Sequence, residues 1–401
     1  MTSDFTSGKN GKSARFSRLT RRDFSVVEFQ RADLKEYYIT CFPEDSGDSE
    51  DLIGEVYARV GEFLESLGAE VVSERCYGET AVFPEVKAAR TRLYKQHGLE
   101  YEGSLSFVGG TPILKRGLAG LQIWAVVAED RPAVRTMTLD GSPVGRKFSH
   151  GGISYASVAS VEPSAVGHYS PHLKDHAGSM FRESARILDS YGLSYRDVAR
   201  TWIYLPQLLS WYDDFNAARR EVYAEFGLAE GSRLSWLPAS TGIQGQSPRG
   251  CECMMDLLAV SDRADFGHRL EMLNSPLQCE AYDYGSFFSR AVELKDESVS
   301  RIFVSGTASI DSQGNTVFKD DPKGQIRFTI QVVKELVGTR GHSLSDMAHC
   351  VAFFKNSEYT GAFLEVAEEQ GLDARVVVQT VADVCRNDLL FEMEALTVKA
   401  Y

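Results

Sequence analysis

The sequence predicts an α+β protein assembled from three copies of one ββαβαββ unit, and three observations predict it. Arg301–Asp311 and Asp388–Ala395 are strand-like segments about eighty residues apart that enclose two stretches of helical apolar spacing. Weaker versions of the same frame lie between Tyr155 and Val260 and between Tyr38 and Ala128. Finally, Gly192-Leu-Ser-Tyr-Arg-Asp-Val198 and Gly341-His-Ser-Leu-Ser-Asp-Met347 carry one Gly-x-Ser-x-x-Asp-apolar string between first helix and next strand, where a helix stop and a new cap are needed. Internal repetition of this kind outranks local motifs in deciding a fold.

The elements follow in order. The first copy has a helix over Leu52–Leu67 stopped by Gly68, a strand over Glu70–Cys76, a helix over Glu85–Tyr94 and a strand over Gln122–Ala128; its opening hairpin reads as reduced. The second has a strand over Ile153–Ser160, a helix opened by Ser170-Pro171 and closed at Gly192, a strand over Val198–Tyr204, a helix over Trp211–Phe226 and a strand over Cys251–Val260. In the third, alternating β-branched residues over Ile302–Ile310 followed by the turn residues Ser312–Asn315 predict a hairpin. A helix over Pro322–Val337, a strand over Ala348–Phe354, a helix over Tyr359–Glu369 and strands over Val376–Val381 and Leu389–Val398 complete it. The implied division is a disordered tail over residues 1–22 and repeats over 23–140, 141–265 and 266–401. Each unit covers one sheet face with its own helices, and three copies can bury their other faces against each other.

Composition narrows the function classes. With 43% hydrophobic residues and a formal charge of −13, the chain can bury a large core and would be repelled by a phosphate backbone or an anionic membrane. The Ser-, Gly- and Lys/Arg-rich start has no apolar core of a secretory signal, and no apolar run approaches a membrane span. Seven scattered cysteines suit free thiols in a reducing compartment, so a cytoplasmic protein is expected. Cys251-Glu-Cys253 reads as two small residues on one strand face. His168, His172 and His176 recur every four residues, but His168 precedes the helix cap and no third ligand is in reach, so no metal site is expected.

The segments Ala199–Tyr204, Leu237–Ile243, Phe288–Ala291, Phe303–Ala308, Asp373–Val381 and Cys385–Glu394 resemble the Rid superfamily of enamine/imine deaminases, and over residues 150–401 more particularly its chorismatase branch. The resemblance implies a pseudo-trimer within one chain, with ligand clefts between repeats, monomeric or in low-order homo-oligomers. It also implies a cofactor-independent reaction in which chorismate or a related enol ether yields pyruvate and a hydroxybenzoate-type product. The first repeat is an addition to the pattern, and Arg375 stands where Rid deaminases place a carboxylate-binding arginine.

Alternation puts Glu392 and Glu394 on one face of the last strand. Against apolar walls such a carboxyl stays protonated near neutrality and can protonate an enol ether or enamine carbon; on an edge strand it would be a solvated surface pair. The resemblance assigns the acid to Glu392 and sets Gly306 and Cys385 beside the substrate ring, a combination similar to 3-hydroxybenzoate-forming members; the plain alternative for Cys385 is a small buried hydrophobe. A dicarboxylate needs fixed guanidinium groups, for which Arg200, Arg290, Arg375 and Arg386 are candidates, with Trp202 and Tyr204 on the face of Arg200. Thr241, Gly242 and Thr307 join the binding set through the resembling segments. Three readings stay open: a chorismatase-like enzyme, an imine or enamine hydrolase built on Arg375 and Glu392, and a non-catalytic ligand-binding protein.

Overall fold

The computed structural model describes residues 15–401 apart from 21–22, 32, 44–50, 114–116, 130–132, 165–166, 168–169, 231–232, 263–269 and 297. Three mixed sheets repeat one topology. In the first, Phe24–Arg31 and Leu34–Cys41 form the opening hairpin, Glu70–Gly78 and Leu105–Gly109 run parallel, and Leu118–Ala128 closes between them. Ser142–His150, Ile153–Val161, Val198–Leu205, Ala239–Gln244 and Met254–Asp262 take the same places in the second. Ala291–Lys295, Val299–Ala308, Met347–Phe354, Val377–Val381 and Phe391–Ala400 take them in the third. Among the described residues the helices Leu52–Leu67, Phe83–Gln96, Leu173–Asp189, Leu208–Glu225, Pro322–Gly338 and Thr360–Gln370 cover the outer faces in pairs.

Local chemistry sets these boundaries. Asp51 accepts from Gly54 N at 2.8 Å to open the first helix, and Gly68, at φ 60°, closes it. The repeated Gly-x-Ser-x-x-Asp string performs one task twice. Gly192 and Gly341 turn out of the helix at positive φ, and Asp197 and Asp346 each accept the backbone N–H of the serine three residues earlier, at 2.7 and 2.8 Å.

Several expectations are corrected. The partner of Val299–Ala308 is the preceding strand Ala291–Lys295; Ser312–Asn315 turns a loop closed by a single bridge, Ile310 to Thr316. Asp296 selects this arrangement by accepting from Ser298 N and Val299 N, both at 3.0 Å. The first repeat's hairpin is complete, and Arg15–Thr20, placed in the expected tail, pairs along Ser25–Gln30 as a further edge strand. The remaining tail residues, 1–14 and 21–22, lie outside the described residues. The helix expected to open at Ser170-Pro171 begins at Leu173, because the Ser170 hydroxyl bonds instead to Asp175 and to His172 N.

Each repeat has its own apolar core between sheet and helices, and the inner sheet faces meet in two clusters that draw on all three repeats. Backbone bridges tie the repeats in a ring: Gly109 to Gln246, Ala239 to Ser289, and Thr111–Pro112 to Thr380 and Val381. Between the first and third repeats the ring is also closed by buried charge. Glu36 accepts from Arg301, Tyr38 and Trp124, and Asp296 pairs with Arg31. Although burial alone would raise it, Arg301 and Arg31 hold the Glu36 carboxyl below its ordinary range. Among the described residues no helix is long and apolar enough to cross a membrane.

Removing one member of this cluster strands the others in a dry interior. Arg301→Ala should therefore lower stability by about 3–5 kcal/mol, measured by urea unfolding; an unchanged midpoint would show that the cluster does not hold the ring.

Candidate active site

The ladders fix which residues are equivalent. Glu394 lies opposite Val351, Asp256 opposite Trp202 and Gln122 opposite Arg75. Two residues earlier, Glu392 lies opposite Phe353, Met254 opposite Tyr204 and Gly120 opposite Tyr77. The sequence puts Gln122 near the first repeat's counterpart of Glu392; the register makes that counterpart Gly120, two residues earlier. At this position only the third repeat carries an acid. Gly120 is closed over by Val378 and Phe42, whose atoms stand 3.1 and 3.2 Å from where a Cβ would be.

Glu392 is 4% exposed, facing the second repeat across the cleft. A Cβ on Gly306 would overlap its Oε1 and stand 3.2 Å from Thr241 Cγ2. The absence of a side chain at Gly306 is therefore what makes room for the carboxyl. Burial first, and then the Glu394 charge, push Glu392 up to about 8, against Arg200 and Arg290, which pull the other way. Near neutrality it holds a proton. Among the described residues no hydrogen bond to its carboxyl is formed, whereas Glu394 accepts from Arg200 Nη2 at 2.7 Å.

The opposite wall comes from Leu208–Glu225, a helix interrupted at Trp211, where φ is −147°. Below this kink, Tyr212, Asn216 and Arg219 follow at i, i+4 and i+7, on one face. Tyr212 packs by Gly242, its Cε2 3.6 Å from where a Cβ would stand; it lines one cleft with Tyr284 and Cys385, and burial above all pushes its phenol up. Arg219 is 1% exposed, donates to Asn216 Oδ1 at 2.5 Å, and its Nε finds no partner among the described residues. Its guanidinium lies over Phe215 and Phe288, 5.2 and 5.5 Å from the ring centroids. Tyr284 receives Arg290 and Arg386 at 5.4 and 5.2 Å; Arg290 also bonds to the Cys279 carbonyl and Arg386 to that of Gly314. Tyr212, Asn216, Tyr284, Cys385 and Arg386 line the mouth, a cleft of about 830 Å³ counted to its open face.

Most of the residues anticipated from the sequence meet here: Glu392, Cys385, Thr241, Gly242, Gly306, Arg290 and Arg386. Thr307 is beside them in sequence, but its hydroxyl bonds to the Ser305 carbonyl of its own strand. Cys385 is a thiol and not a thiolate, since burial pushes it up to about 12. Arg200 is a structural partner inside the protein: it holds Glu394 and donates to Thr241 Oγ1 at 2.5 Å, with Trp202 at 5.0 Å. Tyr204 belongs to an inter-repeat cluster with Tyr77 and Val108. Arg375 is misplaced by the sequence argument. It precedes Val377–Val381, whose Thr380 is level with Glu392, and turns at the far end of that strand to pair with Asp373 at 2.9 Å on the surface. Tyr212, Arg219 and Tyr284 were missed; the i, i+4, i+7 stripe of Tyr, Asn and Arg on an otherwise apolar helix face was the available signal.

A second, small cavity lies where the three sheets meet, lined in part by Arg75, Gln122, Arg200, Trp202, His349 and Glu394. Glu394 borders this space and Glu392 does not. Among the described residues no group of His, Cys, Asp and Glu is arranged to hold a metal ion; His168 lies outside them.

Holding Glu392 protonated has a stability cost that grows with pH. Its folded pKa is raised from 4.5 to about 8, so stability contributed below 4.5 is lost as pH rises and levels off above about 8. Glu392→Gln should remove this loss and be more stable than wild type at pH 7.5 by about 3 kcal/mol, with little difference at pH 4.5. Thermal melts at both pH values check this; equal melting at pH 7.5 would contradict the raised pKa.

Residues 285–399 match the family model of endoribonuclease L-PSP. A 3-hydroxybenzoate synthase of Streptomyces hygroscopicus is 28% identical over 320 residues, covering 72% of this chain and 88% of that protein. A chorismatase of Streptomyces rapamycinicus is 27% identical over 236 residues, 52% of this chain and 67% of that one. A crystal structure of a chorismatase has the same fold, with TM-score 0.62 at 20% identity over 92% of this chain and 100% of its own. That coverage is more than residues 150–401 alone could supply, so the shared fold takes in first-repeat residues too. The last repeat thus matches the L-PSP family model, and the chain as a whole is similar to chorismatase and 3-hydroxybenzoate synthase.

Proposed function

We propose that this protein is a chorismate-processing enzyme that releases pyruvate from chorismate, or from a closely related enol ether, with Glu392 as the general acid. The observation that carries this reading is a buried carboxyl kept protonated to about pH 8, against a glycine that leaves space for it, near a cleft whose mouth is lined by Tyr212, Tyr284, Cys385 and Arg386. Proton transfer from Glu392 to the terminal methylene carbon of the enolpyruvyl group leaves an oxocarbenium carbon and a carboxylate on Glu392. Attack by water on that carbon, with loss of a proton, gives a hemiketal whose C–O bond breaks to pyruvate and the ring alcohol. Where the ring alcohol then loses its other hydroxyl as water, with a ring proton, the ring becomes aromatic and the products are pyruvate and a hydroxybenzoate, the water added in hydrolysis balancing the water lost.

Arg219, Arg290 and Arg386 are the proposed receptors for the two substrate carboxylates. Arg219 is the strongest of these, since a buried cation with an unpartnered N–H gains most from an incoming anion. Cys385, as a neutral thiol, would border the ring or exchange a proton and would not act as a thiolate nucleophile. Gly306 with Cys385 favours a hydroxybenzoate-type product by likeness to the 3-hydroxybenzoate synthase. The imine-hydrolase alternative loses its central residue, because Arg375 is paired on the surface.

Incubation with chorismate, coupled through lactate dehydrogenase to NADH oxidation, should show pyruvate release by wild type and at least ~100-fold less by Glu392→Gln. Arg219→Met should raise KM about tenfold or more through loss of a charge-assisted contact. No pyruvate from folded wild type would overturn the reading, as would full activity in Glu392→Gln.

A further inference from the structure

We propose that Glu394, held by Arg200 of the second repeat, which Thr241 in turn holds, is a positioning residue that keeps Glu392 in its acid form. The inference rests on Glu392 being the proton donor and adds the group that sets its protonation. On a strand, residues two apart share a face about 7 Å apart. Glu394 is anchored as an anion: Arg200 Nη2 lies 2.7 Å from its Oε2 and 2.5 Å from Thr241 Oγ1, and the guanidinium stands 5.0 Å from the Trp202 ring, with Arg75 at 3.6 Å from the same ring. A carboxylate so fixed cannot take up the proton that two neighbouring carboxyls would otherwise share.

The other groups facing Glu392 do not substitute for it. Tyr212, from the kinked helix, and Cys385, from the loop before the last strand, are neutral because burial pushes both up. Arg290, beside Ala291–Lys295, favours the ionised form and has its Nε and Nη2 bound to the Cys279 carbonyl. Arg200 also favours ionisation, but its nearest anion is Glu394. Among these groups the anion opposing ionisation is therefore Glu394. In the other repeats the same slot is only structural: Asp256 accepts from Ser106 at 2.5 Å and Ser160 N at 2.9 Å, Gln122 donates to the Cys350 carbonyl at 2.9 Å, and Met254 and Gly120 stand where an acid would be.

The test is an infrared titration of the protonated carboxyl, assigned by its loss in Glu392→Gln, in wild type, Glu394→Gln, Glu394→Asp and Arg200→Gln, with the pH profile of pyruvate release alongside. Glu394→Gln should move the Glu392 titration, and the alkaline limb of activity, to lower pH by about one unit or more. Glu394→Asp should stay near wild type, and Arg200→Gln, which leaves the Glu394 anion without its counter-charge, should move the titration to higher pH. Equal titration of wild type and Glu394→Gln would overturn the proposal, as would shifts of the same sign in Glu394→Gln and Arg200→Gln, the pattern of mere structural damage. The infrared readout needs no substrate, so the expected shifts without pyruvate release would uphold Glu394 and refute the chorismate reading alone.

Discussion

Every strand residue that points away from its own repeat's helices must be buried against another repeat, and this constraint organises the molecule. Apolar residues meet it by packing into the two shared clusters. Polar ones have to be matched across a repeat boundary, because an unpaired buried charge costs more than its pairing returns. Glu36 with Arg301, Asp256 with Ser106, Gln122 with the Cys350 carbonyl, and Glu394 with Arg200 are such matches. Glu392 is the exception: an inner-face carboxyl whose compensation is a bound proton.

That exception explains why a covalent three-repeat ring differs from three identical subunits. Identical subunits would carry the same residue at all three equivalent positions. Here the positions hold Glu392, Met254 and Gly120, the last covered by Val378 and Phe42. The second and third repeats supply the two walls of one cleft, Tyr212 and Arg219 on one side and Glu392 and Gly306 on the other. The first completes the burial without adding an acid. Fusion into one chain allows the sequences of the three copies to diverge while the backbone ring is kept.

Much of this was legible in the sequence because it is local. The stop at Gly68, the twice-used Gly-x-Ser-x-x-Asp turn, and the alternation that puts Glu392 with Glu394 are properties of short segments. What was not legible is long-range. Which strand pairs with Val299–Ala308 depends on Asp296 and a turn that precedes it. Matching Glu392 to Gly120 and not to Gln122 requires a ladder register, and the bulges at Val71/Ser73 and Met347/His349 obscure it. Arg375 was placed by resemblance, but its strand runs so that the arginine ends on the surface. Arg219 was missed because its burial, 1% exposed below the kink at Trp211, depends on tertiary packing and not on its own segment.

On the proposed reading, one of the three equivalent positions is competent, and calorimetric titration of the Glu392→Gln protein with chorismate, which it should bind without turnover, decides the matter. One ligand per chain is expected, with binding abolished or greatly weakened in the double variant Glu392→Gln/Arg219→Met. Two or three equivalents per chain, or one equivalent indifferent to Arg219, would contradict that reading.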